Sequence, residues 1–284
     1  MPTTLNEAVS FSKGQNPLIV SGATDIGVQV NKGKRELGHI LSLINCPESM
    51  EIKREGHFLK IGARVTLEIL EKSMARDYPE YARLLHVFAS PQIKNAGTLV
   101  GNVVNASPIA DGVPFLLLIG ATVETISTEG KRTIALDDFY IGYKKTRLKK
   151  NELIYALSLP LDQQDTYIKL YKVSLRKDLD ISAVTMATRL KIEHGLISDW
   201  RLVLGGVGAT IIRLNEIEKL SKGRTFDLKL IEEVTAGLPQ WIAPLSDVRG
   251  SKEYRLQLCK NLLHKFYDEW KSEAGTQSFY QVSL

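Results

Sequence analysis

Residues 95–111 read Asn95-Ala96-Gly97-Thr98-Leu99-Val100-Gly101-Asn102-Val103-Val104-Asn105-Ala106-Ser107-Pro108-Ile109-Ala110-Asp111, and the fold turns on what such a run can be. It packs two glycines, three asparagines, a Thr, a Ser, a Pro and an Asp into 17 residues. That is too polar for a core strand and too rich in breakers for a helix. Leu99, Val100, Val103, Val104 and Ile109 still ask for burial, so a loose surface loop is excluded. Buried backbone needs partners for its N–H and C=O groups. Small residues let that backbone approach a ligand closely, while Thr, Asn, Ser and Asp supply donors and acceptors. Two readings meet these needs: one wall of a site for a sizeable polar cofactor, or an Asn- and Ser-rich turn system that satisfies itself. The stretch alone leaves both open.

Upstream, Thr4 and Glu7 form a capping box for a short helix through Leu5, Ala8, Val9 and Phe11. Pro17–Val20 reads as a buried strand, which breaks at Ser21-Gly22-Ala23-Thr24-Asp25 before a helix from Ile26 to Val30. Strand, small-residue turn and helix can aim backbone N–H groups at a phosphate. The turn is not Gly-x-Gly-x-x-Gly, so the common dinucleotide fold is not indicated, and on its own it reads as a plain strand-to-helix turn. His39–Ile44 and Phe58–Gly62 are expected strands joined by a polar link, and Thr66–Glu71 and Tyr78–Phe88 have helical spacing.

Downstream, Gly112-Val113-Pro114 opens an apolar helix over Phe115–Ile119 that Gly120 ends, with a strand at Thr122–Ser127. Leu153–Leu159 is another strand, and Pro160–Asp165 is the best domain boundary. Beyond it Tyr167–Val173 and Val184–Ile192 alternate with period 2 and Trp200–Leu204 follows, which predicts an antiparallel meander with one buried face. Gly205-Gly206-Val207-Gly208-Ala209-Thr210 lacks the ending and spacing of a phosphate loop and reads as a turn. Three helices close the chain: Leu214–Leu220 stopped by Gly223, Leu228–Ala236 stopped by Gly237, and a long one after Ser251. The last carries Leu258, Leu262, Leu263, Phe266, Tyr267 and Trp270 on one stripe, and a tail that is loose or partner-bound is expected after Ala274.

A chain of 284 residues suggests two packed units, and 44% apolar with 24% charged residues is ordinary globular composition. The net charge of +5 is spread out apart from clusters at 144–150 and 172–177, which is weak support for nucleic-acid binding. Cys46 and Cys259 have no partner spacing, which argues against an iron–sulfur or zinc site within the chain, and the five histidines show no ligand spacing. The N-terminus does not read as a signal peptide and no apolar run approaches ~18 residues, so the expectation is a cytoplasmic protein without a membrane partner. Ser107, Asp111 and His86 hint at a hydrolase, but no Gly-x-Ser-x-Gly elbow frames Ser107. The residues point to a holder of something reactive rather than to the source of the reactivity.

The turn Ser21–Asp25 resembles the Gly-Gly-Thr-Asp motif of the FAD-binding subunits of molybdenum hydroxylases, such as xanthine dehydrogenase and carbon monoxide dehydrogenase. Thr98–Asn102 with Ala106–Asp111 resembles their second motif, Thr-hydrophobic-Gly-Gly-Asn followed by Ala-Ser-Pro-x-x-Asp. Gly142–Thr146 with Leu148 and Glu152, and Arg176 with Asp180-Ile181, are similar to two further stretches. Gly205-Gly206-Val207 and Arg249-Gly250-Ser251-x-x-Tyr254-Arg255 are similar to their C-terminal domain, so the match is collinear over nearly the whole chain. Ala23 and Val100 stand where many members have glycine, which is harmless at negative φ and costs roughly 1–2 kcal/mol in a left-handed conformation.

The resemblance implies an α+β fold: a two-subdomain FAD-binding domain of the vanillyl-alcohol-oxidase (PCMH-like) type over residues 1–161, then residues 162–284 as an antiparallel sheet packed against helices. By the same resemblance Leu18, Ile19, Val20, Ser21, Gly22, Ala23, Thr24, Asp25 and Ile26 would wrap the FAD pyrophosphate. Thr98, Gly101, Asn102, Ser107 and Asp111 would meet the phosphates and ribityl chain, and Phe88, Ile93 and Ile154 would pack on the ring or adenine. Lys172 is the implied catalytic residue, a cation beside the isoalloxazine favouring its anionic reduced form, with Arg176 and Lys177 on a nearby loop that faces the acceptor. The implied function is electron transfer in an oxidoreductase. Electrons would come from 2Fe–2S clusters on a small subunit, fed by a molybdenum-cofactor large subunit, and leave to NAD or another acceptor. The xanthine dehydrogenase branch fits Ile26-Gly27 and Gly142–Thr146 best. Alternatives are an FAD-free structural or assembly subunit and a free-standing flavin oxidase.

Overall fold

The computed structural model describes residues 1–161, 165–176 and 179–280, and for 274–280 the course of the backbone alone. Thr4 caps the first helix, α1 (Leu5–Ser12), its hydroxyl accepting from Glu7 N–H at 3.2 Å. β1 (Leu18–Val20) leads through a three-residue turn into α2 (Thr24–Asn31) and pairs in parallel with β2 (Ile40–Ser42). β1 is half-buried rather than buried, with Ile19 39% exposed, because one side of this small sheet opens on a cavity.

β3 (Ile52–Glu55) and β4 (Phe58–Gly62) form a hairpin, and α3 (Leu67–Met74) and α4 (Pro79–His86) pack on each other. α5 (Pro91–Lys94) ends just before the breaker-rich stretch, and α6 (Leu99–Val104) lies within it. A helix at α6 overturns the expectation for that segment. Thr98 sits just outside the helix and accepts from Gly101 N–H at 3.0 Å, while Leu99, Val100 and Val103 go into the core. Capping and burial outweigh the poor intrinsic propensity. α7 (Val113–Ile119) is buried along its whole length and ends at Gly120, φ 74°.

β5 (Thr122–Ser127) and β6 (Gly130–Ala135) form a hairpin, followed by a helical turn, α8 (Leu136–Phe139), and a small ribbon of β7 (Tyr140–Gly142) and β8 (Lys145–Thr146). β9 (Leu153–Pro160) runs antiparallel between β4 and β5, giving a five-stranded sheet of order β3-β4-β9-β5-β6.

β10 (Tyr167–Val173), β11 (Val184–Glu193), β12 (Leu196–Gly205) and β13 (Ile212–Arg213) make an antiparallel meander. Its register sets Lys172 opposite Thr185 and Met186 opposite Leu204. The meander is buried on both faces, not one. Ile168, Leu170, Ala187 and Val203 join the core of the N-terminal part, whereas Tyr167, Tyr171, Met186, Leu190 and Leu204 join the C-terminal core. Period-2 alternation puts these two sets on opposite faces. α7 covers one face, and α9 (Asn215–Ser221), α10 (Leu228–Trp241) and α11 (Lys252–Tyr280) build the core on the other.

Gly237 does not stop α10, which continues through it and through Pro239. A Cβ on Gly237 would lie 2.3 Å from the Trp241 ring, so this glycine makes room for the indole instead of ending the helix. α11 continues past Ala274 to Tyr280, and residues 281–284 lie outside the described ones. Of the boundary expected at Pro160–Asp165, residues 162–164 lie outside them, as does Lys177 in the loop after β10.

Candidate functional site

A cavity of about 450 Å³ opens between the β1–α2 turn on one side and α5–α6 on the other. The turn forms because the chain must reverse from strand to helix in three residues. Ser21 Oγ donates to Ala63 O at 3.0 Å, which anchors its start. At Gly22 an added Cβ would sit 2.0 Å from Ala96 O, so only glycine lets the turn lie against the 95–97 backbone. Ala23 takes a left-handed conformation, φ 57°, directly before α2. Of the two residues that stand where many members have glycine, Ala23 is therefore the strained one. Val100 stands in ordinary helical backbone and is 6% exposed.

Across the cavity, Leu67 N–H donates to Gly97 O at 2.9 Å and ties α3 to the residues just before α6. Below α5, Lys94 is buried against Glu71 at 2.5 Å, and His86 Nδ1 lies 2.9 Å from the same carboxylate. Burial alone would raise the Glu71 carboxyl, but Lys94 and His86 hold it below its ordinary value. This cluster ties α5, which carries the cavity-lining Ile93, to α3.

Of the sequence-expected residues, Leu18, Ile19, Ser21, Gly22, Ala23, Thr24, Asp25 and Ile26 line the cavity from the turn side. Thr98, Gly101 and Asn102 line it from α6, and Phe88, Ile93 and Ile154 supply apolar wall. Val20, Ser107, Asp111 and Lys172 are not among the lining residues. Ser107 Oγ accepts from Ile109 N–H at 3.4 Å, and Pro108 O accepts from Gly206 N–H at 2.8 Å.

Asp111 and Lys172 form a buried ion pair with each other. Lys172 Nζ also donates to Asp180 O and to Ser182 Oγ, each at 2.8 Å, and Ser182 donates to Asp111 at 2.6 Å. Burial pushes the Asp111 carboxyl above its ordinary value, against the opposite pull of Lys172 and Ser182.

The cavity also has lining residues that the sequence reading did not single out as cofactor contacts, among them Gln29, Arg35, Asn105 and Leu148. Glu152, noted only within a motif, lines it too. Arg132 holds Glu152 through two bonds of 2.6 and 2.7 Å, and Thr125 and Lys149 N–H add bonds of 2.6 and 2.8 Å. Burial would raise this carboxyl, yet those four donors hold it down at about 2. Glu152 is thus a fixed anion with its oxygens occupied, suited to bracing the wall and not to proton transfer.

The cavity fits FAD. Backbone N–H groups at the start of α2 suit a diphosphate, and apolar side chains suit the flat ring systems. Gly22, where a Cβ would meet the Ala96 carbonyl, keeps the turn close to the 95–97 backbone, while Asn102, which also lines the cavity, has its Oδ1 buried beside Gly112 without a partner. Among the described residues no group of three His, Cys, Asp or Glu could hold a metal, and no helix is long and apolar enough to cross a membrane.

Comparison with known proteins gives the same direction. Residues 1–162 match the family described as FAD binding domain in molybdopterin dehydrogenase, and residues 169–270 match the CO dehydrogenase flavoprotein C-terminal domain. The xanthine dehydrogenase FAD-binding subunit of Escherichia coli O157:H7 is 28% identical over 96% of this chain and 95% of its own length. Xanthine dehydrogenase/oxidase of Gallus gallus is 32% identical over 94% of this chain, which spans only 21% of that longer protein. Among solved structures, reconstituted CO dehydrogenase from Oligotropha carboxidovorans superposes with a TM-score of 0.87 at 25% identity, covering 93% of each chain.

Proposed function

The chain belongs to the family of FAD binding domains in molybdopterin dehydrogenases, and from that premise we propose that it is the flavin-carrying, electron-transferring subunit of a xanthine dehydrogenase-like molybdenum hydroxylase. The observation that carries the proposal is the cavity between the Ser21–Asp25 turn and α6, lined by Thr98, Gly101 and Asn102 on one side and by the Ser21–Asp25 turn on the other. FAD, when bound, accepts electrons from one partner and passes them to another.

The chain's own residues do the holding. The turn and the first N–H groups of α2 face the diphosphate, Thr98, Gly101 and Asn102 meet the polar linker, and Phe88, Ile93 and Ile154 exclude water from the rings. Lys172 and Asp111, outside the cavity lining, join the two proposed units, residues 1–161 and 162–284, through their ion pair. A 2Fe–2S cluster needs four protein ligands, usually thiolates. This chain has two cysteines, both buried, so these residues do not supply those ligands; in this reading the clusters sit on a small partner subunit and the molybdenum cofactor on a large one. NAD is the acceptor of choice in this reading, and the assembly works in the cytoplasm. The similarity to the E. coli FAD-binding subunit supports the reading of this chain as such a subunit.

Anaerobic addition of NADH to the FAD-loaded chain tests the acceptor. Bleaching of the flavin absorbance supports NAD. Failure to bleach, with the flavin still reducible by dithionite, assigns the outlet to a different acceptor.

A further inference from the structure

Arg35 sits at the mouth of the cavity, in the exposed link between α2 and β2, and is its only lining cation among the described residues. It is not left free to wander. Its Nε donates to Gln29 Oε1 at 2.8 Å, and Gln29 Nε2 donates to the Asp25 carboxylate. The chemistry fixes the amide: one end must accept from a guanidinium and the other must donate to a carboxylate. The relay runs along one face of α2, since 25 and 29 are four residues apart. It uses only Nε of the guanidinium. The two terminal nitrogens make no hydrogen bond among the described residues, and no acidic group pairs with them.

We propose that Arg35 is a binding residue for the cofactor's diphosphate, held in place by Gln29 and Asp25 as positioning residues. The inference rests on the FAD reading of the cavity. The start of α2 favours an anion through its N–H groups, but Asp25 in its first turn places a negative charge beside the same spot. Arg35 offsets that charge and offers a planar fork that matches two phosphate oxygens. Nothing in the sequence marks it, because residues 32–38 look like a plain polar link.

The test is titration of the purified full chain with FAD, followed by flavin fluorescence, at low and high salt. R35Q is the central variant. Arg35 is exposed and packs in no core, so the fold tolerates its loss. Loss of a charged bond to phosphate should weaken FAD binding about tenfold to a hundredfold and flatten the dependence on salt. R35K, which keeps the charge, should recover part of the affinity and most of the salt dependence. Q29A, which removes the brace but not the charge, should weaken binding while keeping the salt dependence. An R35Q protein that binds FAD as tightly as wild type, with the same salt dependence, overturns the role of Arg35 and leaves the FAD reading intact. A wild-type protein that takes up no FAD overturns both.

Discussion

Asp111, just before α7, and Lys172, in β10, form an ion pair whose side chains are only 8% and 5% exposed, and it ties the N-terminal part to the meander. Removing one partner strands the other charge in the interior. K172M or D111N is therefore expected to cost about 3–5 kcal/mol, read as a shift in urea midpoint. The double variant D111L/K172M should recover much of that loss, because a buried pair and an apolar replacement are often equivalent. A single variant costing under about 1 kcal/mol would mean that water reaches the pair.

Glu152 predicts the acid limb of stability. Its carboxyl sits at about 2 in the fold, against an ordinary value of 4.5, because Arg132, Thr125 and Lys149 N–H outweigh the effect of burial. The folded state therefore binds fewer protons between those values. The stabilisation, about 3 kcal/mol, is present above pH ~4.5 and is lost as pH falls towards 2. E152Q should flatten this limb in denaturation curves between pH 2 and 5. An unchanged slope would sink the assignment.

Gly22 and Ala23 are adjacent and should respond in opposite ways. G22A must move the Ala96 carbonyl, 2.0 Å from the new Cβ, and should lose both stability and flavin. A23G relieves a left-handed alanine and should gain up to about 1 kcal/mol without loss of flavin. Thermal midpoints and flavin-to-protein absorbance ratios read both effects. A stabilised G22A would contradict the close approach of the two backbones.

Asn102 separates holding a ligand from holding the fold. Its Oδ1 is buried and unpartnered, so N102A removes a group that the protein does not satisfy. Stability should stay within about 1 kcal/mol of wild type or rise, while flavin content drops severalfold. A variant that keeps its flavin and loses stability would make Asn102 structural.

The legible parts of the fold were those in which one local rule decides. The meander was readable because Val184, Met186, Leu190 and Ile192 repeat with period 2, and α1 because Thr4 caps it. α6 was not, since its helix is decided by the Thr98 cap and by burial of Leu99 and Val103 against distant residues. β3 and β6 are edge strands whose Lys and Arg side chains mask the pattern. The second buried face of the meander depends on α7 packing there, which no local period reports. At the site, the turn and the α6 motif were found through resemblance. Arg35 was not, because its meaning comes from the Gln29–Asp25 relay, nor was the left-handed Ala23, whose side chain gives no signal.

The most direct measurement is the visible absorption spectrum of the purified chain, taken before and after incubation with FAD and desalting. A cavity built as described predicts a flavin spectrum that survives desalting, at close to one flavin per chain and well below that in N102A. A chain that stays colourless after both steps would contradict the central claim that this cavity holds FAD.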